Sequence, residues 1–210
     1  MQIAQLMQTG KRISAYILSL ALSLGLSAIA YSASPITLIA SGYTDKGGEG
    51  VYGLTFDAAT NQFGELQLLA KATNPSFGLK NKNLWYFVGE ANEGQLLTFN
   101  QNKNRELTFL QKVSVASSSP CYISKRNDGK FLAVANYSSG NLAVFALDKK
   151  GLPQGEPQLK QHQGSGPNTK RQEAAHAHWA GWSQLADKST GVYVVDLGID
   201  KIMWYPQNKK

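Results

Sequence analysis

Beyond residue 35 the chain alternates short apolar runs, rich in Val, Leu, Tyr, Phe and Trp, with polar turns built on Gly, Asn, Ser and Asp. Three blocks read as strand, tight turn, strand: "LWYFVGEANEGQLLTF" from Leu84, "FLAVANYSSGNLAVFALD" from Phe131 and "GVYVVDLGIDKIMWY" from Gly191. A short element precedes each: Asn74-Pro75-Ser76-Phe77, Ser119-Pro120-Cys121-Tyr122 and Ala175-His176-Ala177-His178. A third kind of element follows, in "FDAATNQFGEL", "FNQNKNRELTFL" and "FALDKKGLPQG", where an aromatic strand end meets a polar turn and a new start. Aromatic and β-branched residues in alternating patterns, with Gly and Asn recurring among them, predict strands, and no segment after residue 35 requires a helix.

Pro75 and Pro120 stand 45 residues apart, whereas Pro120 and Ala177 stand 57 apart, so the third block carries an insertion. A period of about 45 residues with about four short strands per unit predicts blades of a β-propeller, an all-β fold. A β-sandwich also suits short strands with regular turns, but not the long period. Residues 34–210 hold between three and four such blades. A ring of sheets closes with roughly four to eight blades, so the expectation is a partial propeller, either a shortened relative of a longer protein or one half of a homodimer that completes the ring.

Before the repeats, Lys11 and Arg12 precede the almost uncharged stretch "ISAYILSLALSLGLSAIAYSA". A charged start, an apolar middle and small residues at Ala28-Ile29-Ala30 or Tyr31-Ser32-Ala33 predict a cleaved export signal over residues 1–33, hence a periplasmic or secreted protein with no membrane association after cleavage. The competing reading is an anchor, because roughly 18 apolar residues approach a spanning length. The formal charge of +7, from 21 basic and 14 acidic residues, falls to +5 without Lys11 and Arg12, and the basic residues are scattered rather than striped. That excludes nucleic acid as the expected partner. Cys121 is the single cysteine, so no intrachain disulfide forms, and it reads as a small buried residue with nothing adjacent to lower its pKa.

The insertion ends in "GPNTKRQEAAHAHW", residues 166–179. Gly166-Pro167-Asn168, Arg171-Gln172, His176-Ala177-His178 and, about twenty residues on, Asp196-Leu197-Gly198-Ile199-Asp200-Lys201 follow in an order and spacing that resemble the lactonase family of seven-bladed propellers, 6-phosphogluconolactonases of the cycloisomerase-2 type. "SGYTDKGGEGVYGLTFD", "NPSF", "VGEANEG" and "SPCYISKRNDGKFLAVANYSSGNLAVF" are similar to further family motifs, and the resemblance runs from Ile36 to Tyr205. The chain departs from the family's pattern at SGYT, where relatives carry GTYT, at Ala175, where they carry proline, and at "ADKSTG", which replaces an aspartate-glycine turn. The family's last three or so blades have no counterpart. The resemblance implies a hydrolase that opens a sugar δ-lactone, with 6-phosphogluconolactone as the family's named substrate and unphosphorylated aldonolactones as the ones an exported relative meets. No cofactor is implied. The alternatives are muconate-type lactone cyclisation and a non-catalytic binding propeller or inactive remnant.

The residues themselves fit lactone opening. Side chains two apart on a strand share a face, so His176 and His178 are expected on one surface beside Arg171. Histidine titrates near neutral pH and suits the base that activates water. Arginine, a permanent fork of donors, suits the developing oxyanion or a substrate anion. Catalysis is therefore expected from His176 or His178 with Arg171, and substrate contacts from Gln172, Asn168, Asp196, Asp200, Asn136 and Glu90. Each has a plainer reading: one histidine satisfies buried backbone groups, Arg171 lies in a solvated loop, Asn136 serves its turn, and Glu90 is a solvated acid. His-x-His with Asp196 is also a metal-ligand spacing, but no third close ligand is evident, so no metal is expected. His162 reads as a surface residue. Trp179 and Trp182 read as core aromatics more readily than as a sugar platform.

Overall fold

The computed structural model describes residues 35–185 and 189–207. The segment read as an export signal, residues 1–33, lies outside the described residues. The described residues build four antiparallel sheets in chain order. Sheet A holds β1 (Ile36–Ser41), β2 (Gly50–Asp57), and two pieces paired along β2, β3 (Gln62–Phe63) and β4 (Gln67–Lys71). Sheet B is β5 (Pro75–Asn81), β6 (Leu84–Gly89), β7 (Gln95–Gln101) and β8 (Leu107–Ser114). Sheet C is β9 (Pro120–Lys125), β10 (Phe131–Asn136), β11 (Asn141–Leu147) and β12 (Pro153–Gln161). Sheet D is β13 (Ala177–Gln184), β14 (Thr190–Asp196) and β15 (Lys201–Gln207). This is the all-β, partial propeller expected from the period. Among the described residues the only helical turn is Thr44–Lys46, and no helix is long and apolar enough to cross a membrane.

The repeat shows in the strand order. In sheets B, C and D each strand pairs with the next in sequence. Sheet A starts one step later: β1 joins β2 through "SGYTDKGGEG" much as β6 joins β7, so β1 answers to the second strand of the other sheets.

Packing explains why the middle strands are nearly continuous apolar runs. In β6, Leu84, Tyr86 and Val88 enter the core shared by sheets B and C, while Phe87, with Trp85 packed against the same cluster, enters the core shared by sheets A and B. In β10, Leu132 and Val134 face sheet B, and Ala133 and Ala135 face Ala177 and Ala180 of sheet D. Successive residues of a strand point to opposite faces, so a strand sandwiched between neighbouring sheets must be apolar at every position. Polar residues collect in the turns, where Asp57, Asp128 and Asp148 each accept a bond from the backbone N–H of the residue two places on.

Two contacts between turns fix the insertion loop that carries Arg171 and leads into His176. At Gly140, in the β10–β11 turn with φ +59°, an added Cβ would lie 2.3 Å from the Ala175 carbonyl oxygen. At Gly198, in the β14–β15 turn, it would lie 1.8 Å from the Ala174 carbonyl oxygen. Only glycine lets both turns approach the loop backbone so closely.

Leu132 is fully buried in the core between sheets B and C, whereas Leu110 on β8 is 44% exposed. Leu132→Ala is expected to lower unfolding free energy by about 2–5 kcal/mol, and Leu110→Ala by under about 0.5 kcal/mol. Denaturant titration of the two variants measures the difference.

Candidate active site

The first strands of sheets B, C and D all begin with the same irregularity. Pro75 pairs with Gly89 and Phe77 with Val88, which leaves Ser76 unmatched. Pro120 pairs with Asn136 and Tyr122 with Ala135, leaving Cys121, and Ala177 pairs with Asp196 and Trp179 with Val195, leaving His178. A bulge of this kind re-aims one side chain out of the sheet's alternation. All three extra residues line a single cavity of about 330 Å³, together with Tyr43, Glu90, Tyr137 and Arg171.

Glu90 and Tyr137 also occupy matching places. Each directly follows the second strand of its sheet, and each donates its N–H to the residue before the bulged pair, Glu90 to Asn74 O at 2.9 Å and Tyr137 to Ser119 O at 2.8 Å. In sheet D the matching bond runs from Leu197 N to His176 O, 2.9 Å. The true repeat alignment is therefore Asn74, Ser119 and His176, with Ser76, Cys121 and His178 two places on. The four-residue grouping that begins at Ala175 is one residue out of step, because the alanine at 177, not the histidine at 176, takes the proline's place.

Arg171 reaches the cavity from the insertion loop. The loop is a small folded unit: Asn168 O accepts from the backbone N–H groups of Arg171 (3.0 Å) and Gln172 (2.7 Å). Gln172 is buried and uses both ends of its amide, Oε1 accepting from Asn168 N at 2.9 Å and Nε2 donating to Leu197 O at 2.8 Å and Asp200 Oδ1 at 2.6 Å. With its neighbour so pinned, exposed Arg171 extends over the cavity, its Nη2 3.4 Å from the Tyr137 hydroxyl.

His176 and His178 both meet Tyr137, one on its face and one on its edge. The His176 ring stacks on Tyr137 at 4.4 Å and 9°, and the His178 ring meets it at 5.7 Å and 86°. Their depths differ. His176 is buried, with Nδ1 3.0 Å from Tyr137 O and Nε2 3.2 Å from Glu173 Oε1. His178 is exposed and lines the cavity, and among the described residues its ring makes no hydrogen bond.

The carboxylate of Glu90 acts on two neighbouring groups. Its Oε2 accepts the Tyr43 hydroxyl at 2.9 Å. Burial, then the bond and charge of Glu90, push the Tyr43 phenol up to about 12. Burial, then the charge of Glu90, likewise push the Cys121 thiol up to about 12. The Cys121 sulfur also sits 3.7 Å from each of three carbonyl oxygens, those of Ala135, Ala177 and His178. Cys121 therefore lines the cavity wall as a thiol.

Residues 37–210 match the model of the family described as "Lactonase, 7-bladed beta-propeller". The chain belongs to this family. It is 36% identical over 167 residues to a 6-phosphogluconolactonase of Bacillus subtilis, covering 78% of this chain and 47% of that protein. It is 31% identical over 177 residues to a 6-phosphogluconolactonase of Formosa agariphila, covering 79% and 48%. Among solved structures, the periplasmic gluconolactonase of Pseudomonas aeruginosa superposes with a TM-score of 0.73 at 25% identity, over 82% of this chain and 50% of that one. The chain spans about half the length of the curated relatives it matches.

Of the site residues expected from the sequence, this lactonase-family chain brings Arg171, His178 and Glu90 to one cavity. His176 stands behind them, against Tyr137, and five others lie elsewhere. Gln172 and Asp200 brace the insertion loop, with Asp200 in the left-handed region at φ 52°. Asp196 is buried, and its Oδ1 accepts from the N–H groups of His176, Gly198 and Ile199. Asn136 is fully buried and donates to Asn141 Oδ1 at 2.8 Å. Asn168 stays at the surface and accepts from Lys170 N at 3.1 Å. His162 is corrected outright: it is buried, not superficial, because its Nδ1 lies 2.5 Å from Asp196 Oδ2 and its ring stacks on Tyr205. Trp179 is 38% exposed, beside Tyr122, while Trp182 packs against the core between sheets C and D. Among the described residues no group of three His, Cys, Asp or Glu is arranged to hold a metal ion. Sequence reasoning missed Tyr43, Ser76, Cys121 and Tyr137 as cavity residues; for the last three the signal was a repeat position shared with His178 or Glu90.

Only the thiolate reacts with alkylating agents, and a free cysteine ionises near pH 8.5. A thiol pushed up to about 12 stays protonated through neutral and mildly alkaline pH. At pH 8 iodoacetamide is expected to label Cys121 about a thousandfold more slowly than a free thiol, and the rate should keep rising beyond pH 10. Mass spectrometry of timed samples measures it, and unfolding in guanidinium should restore the ordinary rate.

Proposed function

We propose that this chain hydrolyses a sugar δ-lactone to the open aldonic acid. The observation that carries the reading is the convergence of His178, Arg171 and Glu90 on one cavity, in a member of the lactonase family. In this reading His178 takes a proton from a water molecule as the water oxygen bonds to the lactone carbonyl carbon. Negative charge then develops on the carbonyl oxygen, where the Arg171 guanidinium supplies fixed positive charge and two donors. Collapse of the tetrahedral species breaks the bond to the ring oxygen, which receives the proton held by His178. One lactone and one water give one acid, and the histidine returns to its starting state. His178 suits this role better than His176, whose two ring nitrogens already have partners and whose stack holds Tyr137 in place.

The same reading puts the mature protein outside the cytoplasm. The apolar stretch of residues 1–33 supports it, as does the fold shared with a periplasmic gluconolactonase. A homodimer that supplies the remaining sheets belongs to this proposal too. A second reading is a binding propeller without turnover, in which the same cavity holds a ligand and leaves it unchanged.

Hydrolysis of glucono-δ-lactone and of its 6-phosphate is measured against spontaneous opening in buffer. Arg171→Ala and His178→Ala are each expected to lower kcat/KM by about 10²–10⁴ while unfolding as the parent does. His176→Ala is expected to act first on stability, lowering the unfolding midpoint. A folded protein with no rate above buffer would replace hydrolysis by the binding reading.

A further inference from the structure

The cavity that holds Arg171 and His178 has a charge balance that bears on what it accepts. Among the described residues its lining holds one carboxylate, Glu90, and one guanidinium, Arg171. Tyr43 and Cys121, both pushed up to about 12, stay neutral, and among the described residues no lysine lines the space. Glu173, on the insertion loop beside His176, adds a further carboxylate nearby.

Glu90 is firmly held. Its backbone is pinned at both ends by Asn74, which accepts from Glu90 N through its carbonyl at 2.9 Å and donates Nδ2 to Glu90 O at 3.0 Å. Asn74 in turn ties down Thr44, whose N and Oγ1 each donate to Asn74 Oδ1 at 2.9 Å, and so fixes the turn that carries Tyr43. Tyr43 occupies one carboxylate oxygen, Oε2. Among the described residues Oε1 accepts no hydrogen bond and stays available to a ligand.

A phosphate ester carries nearly two negative charges and is bound where several cationic or backbone donors converge. This cavity offers one guanidinium and sets a fixed carboxylate in the same space. A neutral polyol ring suits it better, because its hydroxyls can donate to Glu90 while Arg171 faces the carbonyl oxygen. We propose that Glu90 is a specificity-determining residue that directs the site to neutral, unphosphorylated aldonolactones and against their phosphate esters. The inference rests on the lactonase reading above and adds the charge of the ligand to it.

The test separates binding from turnover. Gluconolactam, a neutral ring that does not open, and its 6-phosphate are titrated by calorimetry into the full-length protein and its Glu90→Gln variant. The amide oxygen of that variant can still accept the Tyr43 hydroxyl, so the turn is kept. The parent is expected to prefer the neutral lactam, and Glu90→Gln to shift the ratio toward the phosphate by about fivefold or more, less at high salt. A parent that prefers the phosphate, an unmoved ratio, or a protein that binds neither lactam overturns the proposal. Lactam preference without hydrolysis of any lactone would remove the catalytic reading alone. Hydrolysis of both lactones in a ratio that Glu90→Gln leaves unmoved would remove this inference alone.

Discussion

The structure depends on one packing constraint: each middle strand must bury both of its faces. β6 and β10 send alternate residues into two different cores, so neither face is complete until a sheet lies on each side. Apolar burial at roughly 25 cal/mol per Å² acts only where a neighbouring sheet removes the water. Small residues set how closely the layers approach. Ala133 and Ala135 meet Ala177 and Ala180 between sheets C and D, whereas Tyr86 and Phe145 fill the space between sheets B and C. The stacking brings the beginnings of successive first strands together, which is where the bulges stand.

The candidate site follows from that repetition. One backbone device, the bulge after Pro75, Pro120 and Ala177, delivers Ser76, Cys121 and His178 to the same space. A second, the turn after the second strand, delivers Glu90 and Tyr137. Arg171 alone comes from outside the repeat. Its loop is secured at the far side by Gln172 and at its two ends by a single carboxylate, since Asp196 holds both His162 and the backbone of His176.

The fold was legible because its signals are local. A period near 45 residues, Pro at matching positions and Asp- or Asn-bearing turns are all written in neighbouring residues. Arg171, His178 and Glu90 were legible as chemistry because a permanent cation, a base and a carboxylate are groups that lactone opening can use. What escaped depended on partners far away in sequence. His162 looks superficial until Asp196, 34 residues on, is placed against it. Gln172, Asp196 and Asp200 have the residue types of a sugar site, yet their polar atoms are taken up within the loop and its turns, which no spacing reveals. The grouping that begins at Ala175 was out of step by one residue with the 57-residue spacing from Pro120 to Ala177, and the pairing of Ala177 with Asp196 decides for the spacing.

The repeated bulge has a consequence for how such a protein changes over generations. At Ser76, Cys121 and His178 one backbone geometry accepts a hydroxyl, a thiol and an imidazole, and none of the three contributes its side chain to a core cluster. Duplicated units therefore bring with them a row of interchangeable sockets. A single codon can alter what a socket presents while the architecture that presents it is inherited intact.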